Sequence, residues 1–100
     1  MTRIAYSSDA RADVVRLVDF LAETEPETAR ATADLISEAV QILPRHPEIG
    51  RRVGKELCEL VISRGRSGYL ALYHFDVRAD EALILAIRHQ RESGYHQEDL

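Results

Sequence analysis

Leu57-Cys58-Glu59-Leu60-Val61-Ile62-Ser63, then Tyr69-Leu70-Ala71-Leu72-Tyr73-His74-Phe75-Asp76, then Leu83-Ile84-Leu85-Ala86-Ile87-Arg88-His89: this succession decides the fold. Each run is short and rich in branched or aromatic side chains that suit a pleated, half-buried surface, so each reads as a strand. The connectors between them, 64–68 and 77–82, have five and six residues. Those are hairpin lengths, whereas a crossover between parallel strands needs roughly a dozen residues or more. The three strands are therefore expected to form an antiparallel meander.

Upstream of residue 56 the period changes. Ala10, Val14, Leu17, Val18 and Leu21 recur at helical spacing, which predicts a helix over 9–23. Ser7 and Ser8 offer side-chain acceptors to its first bare amides, and Asp9 suits the positive end of its dipole. Thr24 and Glu27 have the spacing of a capping box, and Pro26 fits a first helical turn. Ala29, Ala33, Ile36, Val40 and Leu43 then line a second helix over 26–43, ended by Pro44. With almost no loop between them, the helices should form an antiparallel hairpin. Residues 3–6 read as a short first strand, and 44–55, with two prolines and two glycines, as a loop. The order is β-α-α-β-β-β: one α+β domain over residues 1–100, a helical hairpin packed on a small, mainly antiparallel sheet.

The strands are apolar on both faces. Leu57 and Val61 oppose Cys58, Leu60 and Ile62; Tyr69, Tyr73 and Phe75 oppose Leu70 and Leu72; Leu83, Leu85 and Ile87 oppose Ile84 and Ala86. Two helices cover one face of a sheet, and a solvated second face should alternate apolar with polar. Either the helices and tail wrap further, or a partner covers the second face; large apolar patches usually mark interaction sites.

One hundred residues suffice for a single core and not for two, and 45% apolar with 30% charged side chains is an ordinary globular balance. No apolar run approaches the roughly 20 residues of a membrane span, and the opening residues are too weakly apolar for a secretory signal. One cysteine, Cys58, forms no internal disulfide, so a reduced, cytoplasmic setting is expected. Residues 1–43 hold 4 basic and 8 acidic side chains, residues 44–91 hold 9 and 6, and residues 92–100 add three acids. A local basic surface can thus exist on a molecule of net charge −4, and local fields steer partners.

Four stretches stand out: Glu48-Ile49-Gly50-Arg51, Leu57 to Ile62, Gly68-Tyr69-Leu70-Ala71-Leu72-Tyr73, and Ile84-Leu85-Ala86-Ile87-Arg88-His89-Gln90-Arg91. In this order and spacing they resemble the RelE/ParE superfamily of bacterial toxins from type II toxin–antitoxin operons, over nearly the whole chain. The resemblance implies a toxin neutralised by a small cognate antitoxin lying across it in a hetero-oligomer, with Leu57, Leu60, Val61, Tyr69, Leu72 and Tyr73 as the antitoxin-binding set. The family holds two activities: RelE-like members cut messenger RNA on the ribosome, and ParE-like members poison DNA gyrase without cutting.

A ribonuclease needs proton-transfer groups, stabilisation of a phosphorane and cations facing a polyanion. Candidates for that chemistry are His89, Arg64, Arg88, Arg91 and Tyr95. The set is thin: the protein has a single lysine, Lys55, and its net charge is −4. The expected function is therefore ParE-like binding of gyrase, with no catalytic residues. The alternatives are a ribosome-dependent endonuclease or an inactive relative serving as a binding module. Arg45, Arg51, Arg52, Arg88 and Arg91 are the expected target contacts. His89 also reads as a strand-end histidine satisfied by backbone, Arg88 and Arg91 as partners of acidic groups on the helices, and Tyr69, Tyr73 and Cys58 as core. No histidine or cysteine spacing suits a metal, and no glycine-rich phosphate loop is present, so neither metal nor cofactor is expected.

Overall fold

Ser7 sets the start of the first helix: its Oγ accepts the Ala10 amide at 3.0 Å, as the sequence predicts, and donates to the Leu85 carbonyl at 3.2 Å. One side chain thus caps a helix and ties it to the far end of the chain. The computed structural model describes residues 1–62 and 68–90. Its elements run β1 (Arg3–Tyr6), α1 (Ser8–Ala22), α2 (Pro26–Val40), β2 (Arg51–Gly54), β3 (Leu57–Val61), β4 (Tyr69–Asp76) and β5 (Glu81–His89). Among the described residues no helix is long and apolar enough to cross a membrane.

The sheet order is β1-β5-β4-β3-β2. The meander is antiparallel throughout, and the one parallel pair joins β1 to β5, with Arg3 opposite Glu81 and Tyr6 opposite Ile84. Two expectations need correction. The 44–55 segment is not all loop, because Arg51–Gly54 pairs with β3 as a fifth strand. The chain reverses at Lys55 and Glu56, and Glu56 takes a positive φ of 63°. A glutamate rarely adopts that conformation, so the sequence carries no glycine signal for the turn. The Thr24–Glu27 capping box also does not form: the N-cap of α2 is Glu25, with no side-chain cap, and Pro26 opens the helix.

The helices bury the stripes read from the sequence. Ala10 and Leu17 of α1 and Ile36 and Val40 of α2, with Leu43 just beyond, pack on Cys58, Leu60, Tyr69, Ala71, Tyr73, Ala82, Ile84 and Ile87. Each large aliphatic side chain fully buried in this way contributes roughly 1.5–3 kcal/mol. Strict alternation would put Ile84 and Ile87 on opposite faces, yet both join this core. The reason is a β-bulge: Leu72 pairs with Ala86 and Tyr73 with Ile84, so Leu85 is an extra residue. At that bulge α1 docks, through Ser7 on the Leu85 carbonyl and Asp13 on the Ile87 amide at 2.9 Å. These contacts cover the edge of β5 where β1 has ended.

Candidate partner-binding site

Of the arginines singled out by the sequence, Arg45 lies in the ten residues between α2 and β2 and Arg51 and Arg52 open β2, and a buried hydroxyl holds the backbone just before them. Gly50 donates its amide to Tyr73 Oη at 2.9 Å. A side chain at residue 50 does not fit: a Cβ there would lie 2.6 Å from that oxygen and 3.0 Å from the Glu59 carbonyl. Burial pushes the Tyr73 hydroxyl above the usual tyrosine value, and the Gly50 amide only partly offsets this. Arg51 follows at once. It lies opposite Glu59 on β3 and donates to Glu59 Oε1 at 2.5 Å, with 73% of its side chain still exposed against 7% for the glutamate. The guanidinium neutralises a buried carboxylate while presenting most of its own surface to solvent.

Arg45 and Arg52 flank two adjoining clefts that share Glu48, Phe75 and Val77 as lining. Arg51 faces a separate, larger cleft of about 810 Å³, with Ile42, Ile49, Glu59, Val61 and Leu70 among its walls. Three of the five expected target contacts are therefore exposed together around one edge of the sheet. Sequence reasoning missed the apolar side chains among them: Ile49 is 52% exposed, Val53 38% and Val77 70%. They sat in segments read as loop or connector, where no periodicity assigns a face. His74, also at this edge, bonds through Nδ1 to the Glu56 carbonyl at 2.8 Å.

Arg88 is elsewhere. Only 8% of its side chain is exposed, and Nη1 lies 2.5 Å from Asp13 Oδ2, whose carboxylate is 12% exposed. It also donates to the Ile87 carbonyl at 3.1 Å. The arginine expected on a contact surface is thus an internal tie between β5 and α1, which corrects that assignment and agrees with its reading as a partner of helical acids. His89 is half-buried, and its ring meets the Tyr69 ring edge-on at a centroid distance of 5.3 Å. Arg64, Arg91 and Tyr95 lie outside the described residues.

Of the expected antitoxin-binding set, Leu72 and Tyr73 are fully buried, and Tyr69 and Leu60 nearly so, within this chain's own core. They are unavailable to a partner in this conformation. Leu57 remains half-buried and Val61 40% exposed. The doubly apolar strands are therefore covered in large part by the chain itself: Leu72 and Ala86, which face away from the alternate positions in the helix-side core, are both fully buried. Among the described residues no three His, Cys, Asp or Glu side chains converge as a metal site requires.

A family model described as the ParE toxin of the type II toxin–antitoxin system parDE matches residues 4–94. Toxin RelE3 of Caulobacter vibrioides is 33% identical over 92 residues, covering 92% of this chain and 98% of that protein. Toxin RelE1 of the same organism is 33% identical over 70 residues, 70% of this chain and 75% of that one. The fold matches a chain of the chromosomal ParDE system from P. aeruginosa with a TM-score of 0.73 at 22% identity, covering 89% of this chain and 96% of that one. A chain of the toxin–antitoxin complex RelBE2 from Mycobacterium tuberculosis gives 0.60 at 20% identity, covering 91% and 93%. The two-helix hairpin on a mostly antiparallel five-stranded sheet and the match along most of the chain lead to one conclusion: this chain belongs to the ParE toxin family of type II toxin–antitoxin systems, within the RelE/ParE superfamily.

Proposed function

We propose that the chain is a growth-inhibiting toxin of the cytoplasm that acts by binding DNA gyrase, cuts no nucleic acid, and is neutralised by a cognate antitoxin in a hetero-oligomer. The observation that carries this reading is the placement of the arginines. Arg88 is buried against Asp13 inside the chain, while Arg51 and Arg52 are exposed beside apolar side chains at the sheet edge. Arginine beside exposed apolar surface is the composition of a protein-contact site. His89, the one residue in the described chain put forward for proton transfer, is engaged edge-on with Tyr69.

One observation favours the second reading, a ribosome-dependent messenger-RNA endonuclease: the two curated relatives at 33% identity are both named RelE toxins. Purified toxin added to a gyrase supercoiling assay and to a coupled translation assay separates the two. Gyrase binding predicts inhibited supercoiling and unaffected translation. Growth arrest on induction, at matched soluble expression, should survive His89→Ala and weaken with Arg51→Ala. An arginine hot spot is worth about 2 kcal/mol or more, whereas a ribonuclease deprived of its proton-transfer group loses roughly 10²–10⁴ in rate. Messenger RNA cut by the wild type and not by His89→Ala would replace the gyrase reading with the ribosomal one.

A further inference from the structure

We infer that the end of the helical hairpin docks, through Phe20, into the apolar cleft beside Phe75 and Val77 of a second copy of this chain. The contact is head-to-tail, between two different surfaces, and it depends on neither the gyrase nor the antitoxin reading.

Phe20 is 75% exposed near the end of α1. Asp19, Glu23, Glu25 and Glu27 share the hairpin end with it, all exposed, and residues 17–29 hold no lysine or arginine. The helix runs along β5, with Ser7 on the Leu85 carbonyl and Asp13 on the Ile87 amide. Phe20 lies about 10 Å of helix beyond Asp13. The hairpin end therefore stands at the His89 end of the sheet.

The cleft is at the other end. Phe75 pairs with Ala82 near the start of β5, and Val77 follows in the turn. With Ile49 they line a cleft of about 580 Å³, and Ile49 and Val77 are 52% and 70% exposed. A cavity of roughly 150 Å³ accepts a benzene ring, so a phenyl group has room here. Arg51 is engaged with Glu59, but Arg45, Arg52, Lys55 and Arg78 are exposed around the cleft, against Glu48 and Glu56. Most of β5 separates the two patches, roughly 25 Å along the sheet, too far for them to meet within one copy.

A second copy supplies what each patch lacks. The ring among acids fits an apolar cleft with a cationic rim, and complementary charge fixes the orientation. Two hairpin ends facing each other would set four acids against four, which disfavours the symmetric alternative. A contact between unlike surfaces leaves one free patch on each terminal copy, so growth does not close at a dimer. One ring and a few exposed ion pairs make a small interface, with a Kd of about 0.1–1 mM that weakens with salt.

The experiment is sedimentation equilibrium of the purified chain at concentrations up to about 2 mM. At low salt the average mass should rise with concentration, pass that of a dimer without a plateau, and return toward the monomer at about 1 M salt. Phe20→Ser removes the ring, and Val77→Asp places a charge in the cleft. Both positions are exposed, so both variants should fold, which circular dichroism checks. Each variant alone should associate at least tenfold more weakly than the wild type. Their equimolar mixture joins the intact hairpin end of one to the intact cleft of the other, and should form dimers and stop there. The wild-type and salt measurements need no variant. A wild-type chain that stays monomeric throughout overturns the inference. So does a plateau at the dimer, which marks a closed two-fold contact, or association that 1 M salt leaves unchanged. Association retained by both variants, or a mixture that fails to pair, also overturns it by placing the contact elsewhere.

Discussion

Asp13→Ala should be among the most damaging single changes outside the aliphatic core, and its magnitude follows from the contacts. The carboxylate performs two tasks at once. Oδ2 accepts the Ile87 amide at 2.9 Å and pairs with Arg88 Nη1 at 2.5 Å, with both side chains about nine-tenths buried. Removing one member of a buried ion pair leaves an uncompensated charge and typically costs about 3–5 kcal/mol. The Ile87 amide at the bulge would also lose its acceptor. Against this, Arg88 retains the Ile87 carbonyl at 3.1 Å. The expected loss therefore sits near the lower end, about 3 kcal/mol. For a domain of this size that is a fall of roughly 12–24 °C in Tm, and a large fraction of a total stability of about 5–15 kcal/mol. The assay is equilibrium urea unfolding of Asp13→Ala, Arg88→Met and the double variant, followed by tryptophan-independent circular dichroism. The double variant removes both charges together and should be less destabilised than the sum of the singles by at least about 1 kcal/mol. Additive losses, or a cost below about 1 kcal/mol for Asp13→Ala, would refute the claim that this pair ties α1 to β5.

Gly50→Ala should destabilise by roughly 1–3 kcal/mol, because its Cβ would press on the Tyr73 ring and the Glu59 carbonyl, whereas Gly54→Ala, whose Cβ would meet Leu57 Cδ1 at an ordinary 3.5 Å, should cost under about 1 kcal/mol; urea midpoints of the two variants check this. Burial holds both Tyr6 and Tyr73 above the usual tyrosine value of 10.0. The unfolded chain then releases these protons at lower pH than the folded one, so the stabilisation is complete below pH 10 and is lost as pH rises through the folded values. Stability measured from pH 8 upward should be flat to about 9.5 and then fall, with Tyr73→Phe showing a shallower alkaline decline. An equal decline in that variant would contradict the assignment to Tyr73.

Elements whose signal is a period or a length were legible before any fold was known. The stripes Ala10–Leu21 and Ala29–Leu43 repeat every 3.6 residues over about three and four turns, and burial of one helix face leaves that imprint whatever the helix packs against. The short connectors forced the meander, and Ser7 announced its cap because capping is a contact over three residues. Tertiary structure decided what depends on partners distant in the chain. β2 exists because β3 is beside it; its four exposed residues carry no alternation, and its turn relies on a glutamate at positive φ. The bulge at Leu85 changed which side chains of β5 reach the core, since one inserted residue reverses a period of two. The site shows the same division. Charge placed Arg45, Arg51 and Arg52 on the exposed surface, where the structure has them, because exposed guanidinium groups follow from composition alone. Arg88 looked the same in sequence, and only a fold that brings Asp13 within 2.5 Å of it makes it an internal tie. A charge is cheap to leave in water and costly to bury unpaired, so its role is settled by whether the fold supplies the opposite charge.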